Sequence, residues 1–156
     1  MTWRVQKEIK QKKPFRRIEH EAFVNLQRTA DALMQGVAAT LKPAGLSPTQ
    51  YNVLRILRGA GPDGLACREI GERMITKDPD VTRLLDRLEE RGLVTRTRDR
   101  ADRRVITTRI TQKGLRLLNE LDEPVAKLHA EQLRHLGGQR LRSLISLLEA
   151  ARAKRR

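Results

Sequence analysis

Between Asp78 and Thr111 the apolar residues change their period, and that change limits the fold more than any other feature of the chain. Val81, Leu84, Leu85 and Leu88 recur at the three-and-four spacing of a helix buried along one side. The segments Leu93 to Arg98 and Arg104 to Ile110 are instead rich in Thr, Val and Ile, and the polar run Asp99, Arg100, Ala101, Asp102, Arg103 lies between them. That pattern predicts a β-hairpin with a polar tip. Asp78 and Pro79 supply a cap and a proline at the first helical position, and Arg91-Gly92 supplies a left-handed stop. On the wheel of this helix Thr82, Arg83, Asp86 and Arg87 fall on the arc opposite Val81, away from the core.

The flanking segments read as helices. From Ile18 to Leu41 a stripe of Phe23, Leu26, Ala30, Leu33, Met34, Val37 and Leu41 ends at Pro43 and Gly45. Ser47-Pro48-Thr49-Gln50 has the form of a capping box and opens a helix with Val53, Leu54 and Leu57 inward, which stops at Gly59 to Pro62. A third, shorter helix spans about Cys67 to Met74. After the hairpin, Thr111 caps a helix carrying Leu115, Leu118, Leu121, Val125 and Leu128 towards Leu136, in which Pro124 is expected to cause a kink or a restart. Gly137-Gly138 is expected to end it, and Leu141, Leu144, Ile145 and Leu148 form a last helix. The outer helices carry more apolar surface than a small central lobe can cover, which predicts packing on a second copy in a symmetric dimer.

Composition narrows the function. The 156 residues have room for one domain, and 33 Lys and Arg against 19 Asp and Glu give a formal charge of +14. Such a surplus favours a polyanion and leaves three classes: a specific DNA binder, a nonspecific nucleic-acid binder and a membrane-surface protein. Aromatic residues, at 3%, are too few for the base-stacking platforms of RNA and single-strand binders. No apolar run is long enough to cross a bilayer, and MTWRVQKEIKQKKPF lacks the apolar core of a secretion signal, so a cytoplasmic protein is expected. Cys67 is the only cysteine, which excludes an internal disulfide and a zinc site built on paired cysteines. His20, His129 and His135 have no metal-like spacing. With no phosphate-cradling glycine loop and no nucleophile beside a base, neither a cofactor nor enzymatic activity is expected.

A short helix, a turn and a capped second helix form the helix-turn-helix arrangement, whose second helix enters the major groove. Here Arg83 and Arg87 are placed for guanine edges and Thr82 for a base or phosphate, while Asp86 is placed either to orient Arg83 or to accept from cytosine. That helix counts five acids against three bases from Asp78 to Arg91, so it is poorly suited to purely electrostatic docking. The hairpin has the opposite balance: six arginines from Arg96 to Arg109 against Asp99 and Asp102. A ribbon of that charge suits a minor groove, and a helix-turn-helix followed by such a ribbon is a winged helix. For Arg98, Arg100 and Arg103, phosphate contact and simple solvation stay open.

With these residues in place, the segment Gly64 to Gly114 resembles the DNA-binding region of the MarR (multiple antibiotic resistance regulator) family of bacterial transcription factors. The resemblance is carried by DVTRLLDRLEERGLV at 80–94, then Asp102, Arg104, Ile110, Thr111 and Gly114, with Ile110 where the family usually has Leu. It implies that Arg104 enters the minor groove braced by Asp102, and that the outer helices form the dimer. It also implies a small, often aromatic or phenolic, ligand between dimer helices and DNA-binding lobe, for which His20, Phe23, Gln27, Tyr51 and Arg55 are the corresponding lining; core packing explains Phe23 and Tyr51 equally well. The family's peroxide-sensing branch carries its reactive cysteine in the first helix, where this chain has none, so Cys67 reads as a small apolar residue.

The expectation is a mainly α protein: a basic arm at 1–17, a single domain at 18–150 and a basic tail at 151–156. Within the domain, 46–111 is the winged helix-turn-helix lobe, and 18–45 with 112–150 are the dimerisation helices. The expected function is that of a sequence-specific, double-stranded DNA-binding transcription regulator, a homodimeric repressor whose DNA affinity is modulated by a small ligand. The alternative is a nonspecific architectural nucleic-acid binder.

Overall fold

The computed structural model describes residues 4–77 and 80–153. Its helices are α1 (Arg4–Glu8), α2 (Ile18–Leu41), α3 (Pro48–Ala60), α4 (Cys67–Arg73), α5 (Val81–Glu90), α6 (Gln112–Leu133) and α7 (Gly137–Arg152). Strands β1 (Leu65–Ala66), β2 (Val94–Arg98) and β3 (Ile106–Ile110) form one antiparallel sheet in the order β1-β3-β2. The architecture is that of a mainly helical winged helix-turn-helix protein with long terminal helices in contact. No helix among the described residues is long and apolar enough to cross a membrane.

Local chemistry sets the element boundaries. At the start of α3 the Ser47 hydroxyl accepts from the Gln50 amide at 3.1 Å, and the Gln50 side chain accepts from the Ser47 amide at 3.0 Å. This reciprocal box satisfies two donors that a helix start would leave open. Helix α5 opens at Val81, where Asp80 accepts from the Arg83 amide at 3.1 Å. The start expected at Asp78 and Pro79 lies outside the described residues. Helix α5 stops as expected: Gly92 has φ +69°, a conformation costly for any residue with a Cβ, and Leu93 donates back to the Leu88 carbonyl.

The core joins every layer of the lobe. Leu41 of α2, Val53, Leu54 and Leu57 of α3, Ile70 of α4, Leu85 and Leu88 of α5, and Leu118 of α6 are all fully buried. Helix α6 is tied to α3 by the Arg58 guanidinium, which donates to both oxygens of Asp122 at 2.8 and 2.9 Å. Higher up, the Gln132 side chain donates to the Leu33 carbonyl of α2 at 3.0 Å.

Several expectations are corrected. Helix α6 runs through Pro124 without a restart; Pro124 and Glu120 are exposed, so water can serve the carbonyl that the proline leaves unpaired. Gly137-Gly138 does not end α6. That helix stops at Leu133, a tight turn over 134–136 follows, and Gly137 at φ +75° opens α7. The second hairpin strand starts at Ile106 rather than Arg104, because Asp99 and Val105 close the tip through Asp99 N to Val105 O and Val105 N to Asp102 O. Strand β1 was not anticipated, since two residues carry no period. Residues 4–8, in the basic arm, form α1, which buries Val5 and joins α2 by a Glu8–Arg28 ion pair at 3.1 Å.

Candidate nucleic-acid interface

Helix α5 is held by its apolar side. Leu85 and Leu88 are buried and Val81 and Leu84 half-buried, which turns Thr82, Arg83 and Arg87 to solvent. Arg83 and Arg87, with Asp80 and Leu84, border an open groove along the helix. Thr82 lies 3.9 Å from the Cys67 sulfur on α4, at the helix-turn-helix crossing.

Among the described residues Asp86 bonds to Arg96 rather than to Arg83. The Arg96 guanidinium on β2 donates to Asp86 at 2.6 Å and to Glu89 at 2.9 Å, and the Arg96 amide donates to Glu89 at 3.0 Å. Two acids of α5 thus share one cation from the wing side, and Arg96 is a brace rather than a free cation. The hydrogen bonds from Arg96 hold the Glu89 carboxyl below the usual range, against the opposing effect of burial. The Arg58 hydrogen bonds do the same for Asp122. Neither brace was foreseen, although one signal was available: Arg96 follows buried Val94 by two residues and so lies on the inward face of its strand.

The wing arginines divide by partner. Arg109 is fixed to the Pro62 carbonyl and the Thr97 hydroxyl, both at 2.9 Å, and Arg98 donates to the Arg103 carbonyl at 3.1 Å. Arg100, Arg103 and Arg104 are exposed at the tip, and their side chains make no hydrogen bond among the described residues. Asp102 accepts from the Arg104 amide at 3.0 Å and Asp99 from the Ala101 amide at 2.8 Å. These acids shape the tip through backbone donors and leave the guanidinium of Arg104 outward.

The five residues considered for a ligand pocket have separate surroundings. His20 sets its ring edge-on to Phe15, with centroids 5.1 Å apart, and Phe23 is 57% exposed. Gln27 is exposed. Tyr51 belongs to the hydrophobic core, and the Arg55 guanidinium lies 5.9 Å from its ring centroid. The recess at the start of α2 is lined by Pro14, Phe15, Arg16, Arg17, Ile18 and Glu21, none of the five. Among the described residues no cluster of His, Cys, Asp and Glu could hold a metal ion.

Comparison with known proteins places this geometry. A model of the MarR family matches residues 44–105. The HTH-type transcriptional regulator MhqR of Bacillus subtilis (strain 168) is 30% identical over 119 residues, which span 71% of this chain and 81% of that protein. The crystal structure of a MarR transcription factor from Planctomyces limnophilus is 42% identical with a TM-score of 0.68, covering 88% of this chain and 99% of that one. CouR from Rhodococcus jostii RHA1, bound to p-coumaroyl-CoA, is 25% identical with a TM-score of 0.73 over 91% of this chain and 100% of that one. A structure of the transcriptional repressor CouR on a 23-mer DNA duplex gives 30% and 0.72, covering 83% of this chain and 91% of that one.

Proposed function

The chain belongs to the MarR family of winged-helix transcription regulators, and from that premise we propose that it is a homodimeric repressor that reads a pseudopalindromic operator in double-stranded DNA. The observation that carries the reading is the uncovered face of α5, with Arg83 and Arg87 outward beside a wing tip of three arginines whose side chains have no partner among the described residues. In this assignment Thr82, Arg83 and Arg87 meet base edges and phosphates in the major groove, and Arg104 enters the adjacent minor groove. Arg100 and Arg103 contact the flanking backbone. Asp86 keeps α5 in place through Arg96.

The dimer follows from one stripe of α2. Phe23, Leu26, Met34, Val37 and Leu41 share a side of that helix; Val37 and Leu41 are buried by the chain's own core, while Phe23, Leu26 and Met34 are exposed. No residue of α7 is buried, and its Leu144, Ile145 and Leu147 are exposed as well. A second copy covers both faces, and setting two α5 helices about 34 Å apart puts them in successive major grooves.

A ligand with a phenolic or other aromatic part, such as the p-coumaroyl group of the coenzyme A thioester bound by CouR, lowers operator affinity by favouring a dimer geometry with the wrong spacing. Its binding site is formed where the dimer helices meet the lobe, with Tyr51 and Arg55 on its wall.

Selection of duplexes from a random pool, followed by footprinting, tests the proposal. A protected inverted repeat that resists competitor DNA is expected. Uniform coating that vanishes with modest salt would support the architectural reading instead.

A further inference from the structure

The C-terminal end of the recognition helix is bolted to both dimerisation helices at one point. Arg91, the residue that follows α5, donates from Nη1 to the Gly45 carbonyl at 2.7 Å and from Nη2 to the Ala44 carbonyl at 2.9 Å. Those carbonyls belong to the tight turn that ends α2. The last carbonyls of a helix have no partner within it and carry its negative pole, so a forked guanidinium is well matched to them. From the other side, Lys113 in the first turn of α6 donates to the carbonyl of Arg91 at 2.8 Å, and Thr111 donates to the carbonyl of Gly92 at 2.7 Å.

We infer that Arg91 is a positioning residue that transmits the angle between the dimerisation helices to the recognition helix, and so sets the half-site spacing the dimer accepts. The inference rests on the dimer reading above. Helix α5 has ten residues and is therefore about 15 Å long. A tilt of roughly 10° about its anchored C-terminal end moves its N-terminal end by about 2.5 Å, close to the ~3.4 Å rise of one base pair. A joint that prevents such a tilt distinguishes adjacent spacings; a loose one does not. Arg91 is on the exposed side of the joint, outside the hydrophobic core, so its loss leaves the lobe folded. Gly45 supplies a second handle. At φ +68°, a Cβ there is strained and stands 3.4 Å from the Arg91 guanidinium.

The test uses the full chain and a duplex selected by the wild-type protein. Affinity is measured for the native spacing, for spacings with one base pair added or removed, and for a single half-site. The wild type is expected to lose tenfold or more at altered spacing. Arg91→Ala is expected to lose less than threefold there, with half-site affinity and dimer mass unchanged, Arg91→Lys falling between and Gly45→Ala resembling Arg91→Ala. Arg91→Ala with undiminished spacing discrimination, or with half-site binding lost to the same extent, would overturn the inference. A wild-type protein that binds one half-site as tightly as two would overturn the dimer reading itself, and this one with it.

Discussion

Replacing Arg96 by Ala separates a brace from a DNA contact. The Arg96 side chain is 21% exposed and bridges Asp86 and Glu89, which are 50% and 41% exposed. Pairs this open to water are worth only ~0.2–1 kcal/mol each. Alanine keeps the bond from the backbone amide, and loss of two such pairs and of the packed stem of the side chain brings the expected cost to about 1–2 kcal/mol. With a urea dependence of ~1–3 kcal/mol per molar, the unfolding midpoint falls by roughly 0.3–2 M. Protein concentration must be matched, because a dimer's apparent stability depends on it. The loss also depends on pH. The folded-state pKa of Glu89 lies below its unfolded value, so the pair contributes fully above an unfolded pKa of about 4.3, and the contribution is lost as pH falls through the folded value. The gap between wild type and Arg96→Ala should therefore close in acid. Operator binding should fall several-fold, because two carboxylates on α5 are released near the phosphates, and adding Glu89→Gln should recover part of that loss. Unchanged stability with binding abolished would make Arg96 a DNA contact and refute the reasoning.

Other outcomes are specific to single residues. Arg104→Ala should weaken operator binding and reduce the slope of affinity against salt by about one, with the dimer intact in ultracentrifugation, whereas Arg83→Ala should also relax sequence preference by about 1–3 kcal/mol at one position in a binding-site selection. Thr108 is 1% exposed and its hydroxyl has no partner among the described residues, so Thr108→Val should raise stability by up to about 1 kcal/mol in urea unfolding. Phe23→Asp places a carboxylate on the uncovered stripe of α2 and should weaken the dimer by about 2 kcal/mol or more, roughly thirtyfold in its dissociation constant.

What the sequence made legible was whatever has a period or a cap. The stripe from Val81 to Leu88, the Ser47 to Gln50 box and the Gly92 stop gave the lobe's helices and the outward face of α5, because burial and helix ends impose local requirements on residue type. Hydrogen bonds between distant side chains impose none that a linear reading can see. Arg96 to Asp86 and Glu89, Arg58 to Asp122, and Arg91 to Ala44 and Gly45 each join elements by one polar group, and so the six wing arginines looked alike until the fold divided them. Strand β1 was missed because its two residues are fixed by pairing with Thr107 and Thr108 of β3 rather than by their own pattern. Gly137 misled for a related reason: a positive φ marks the end of one helix as readily as the start of the next.

In the proposed function α5 selects sequence while the wing supplies attraction. The ratio of dissociation constants for a selected inverted repeat and for a scrambled duplex of the same length and composition, measured at physiological salt, tests it most directly. A ratio of about 1,000 or more is expected, which Arg83→Ala lowers and Arg104→Ala largely preserves while weakening both duplexes. A ratio near one in the wild-type protein would contradict it.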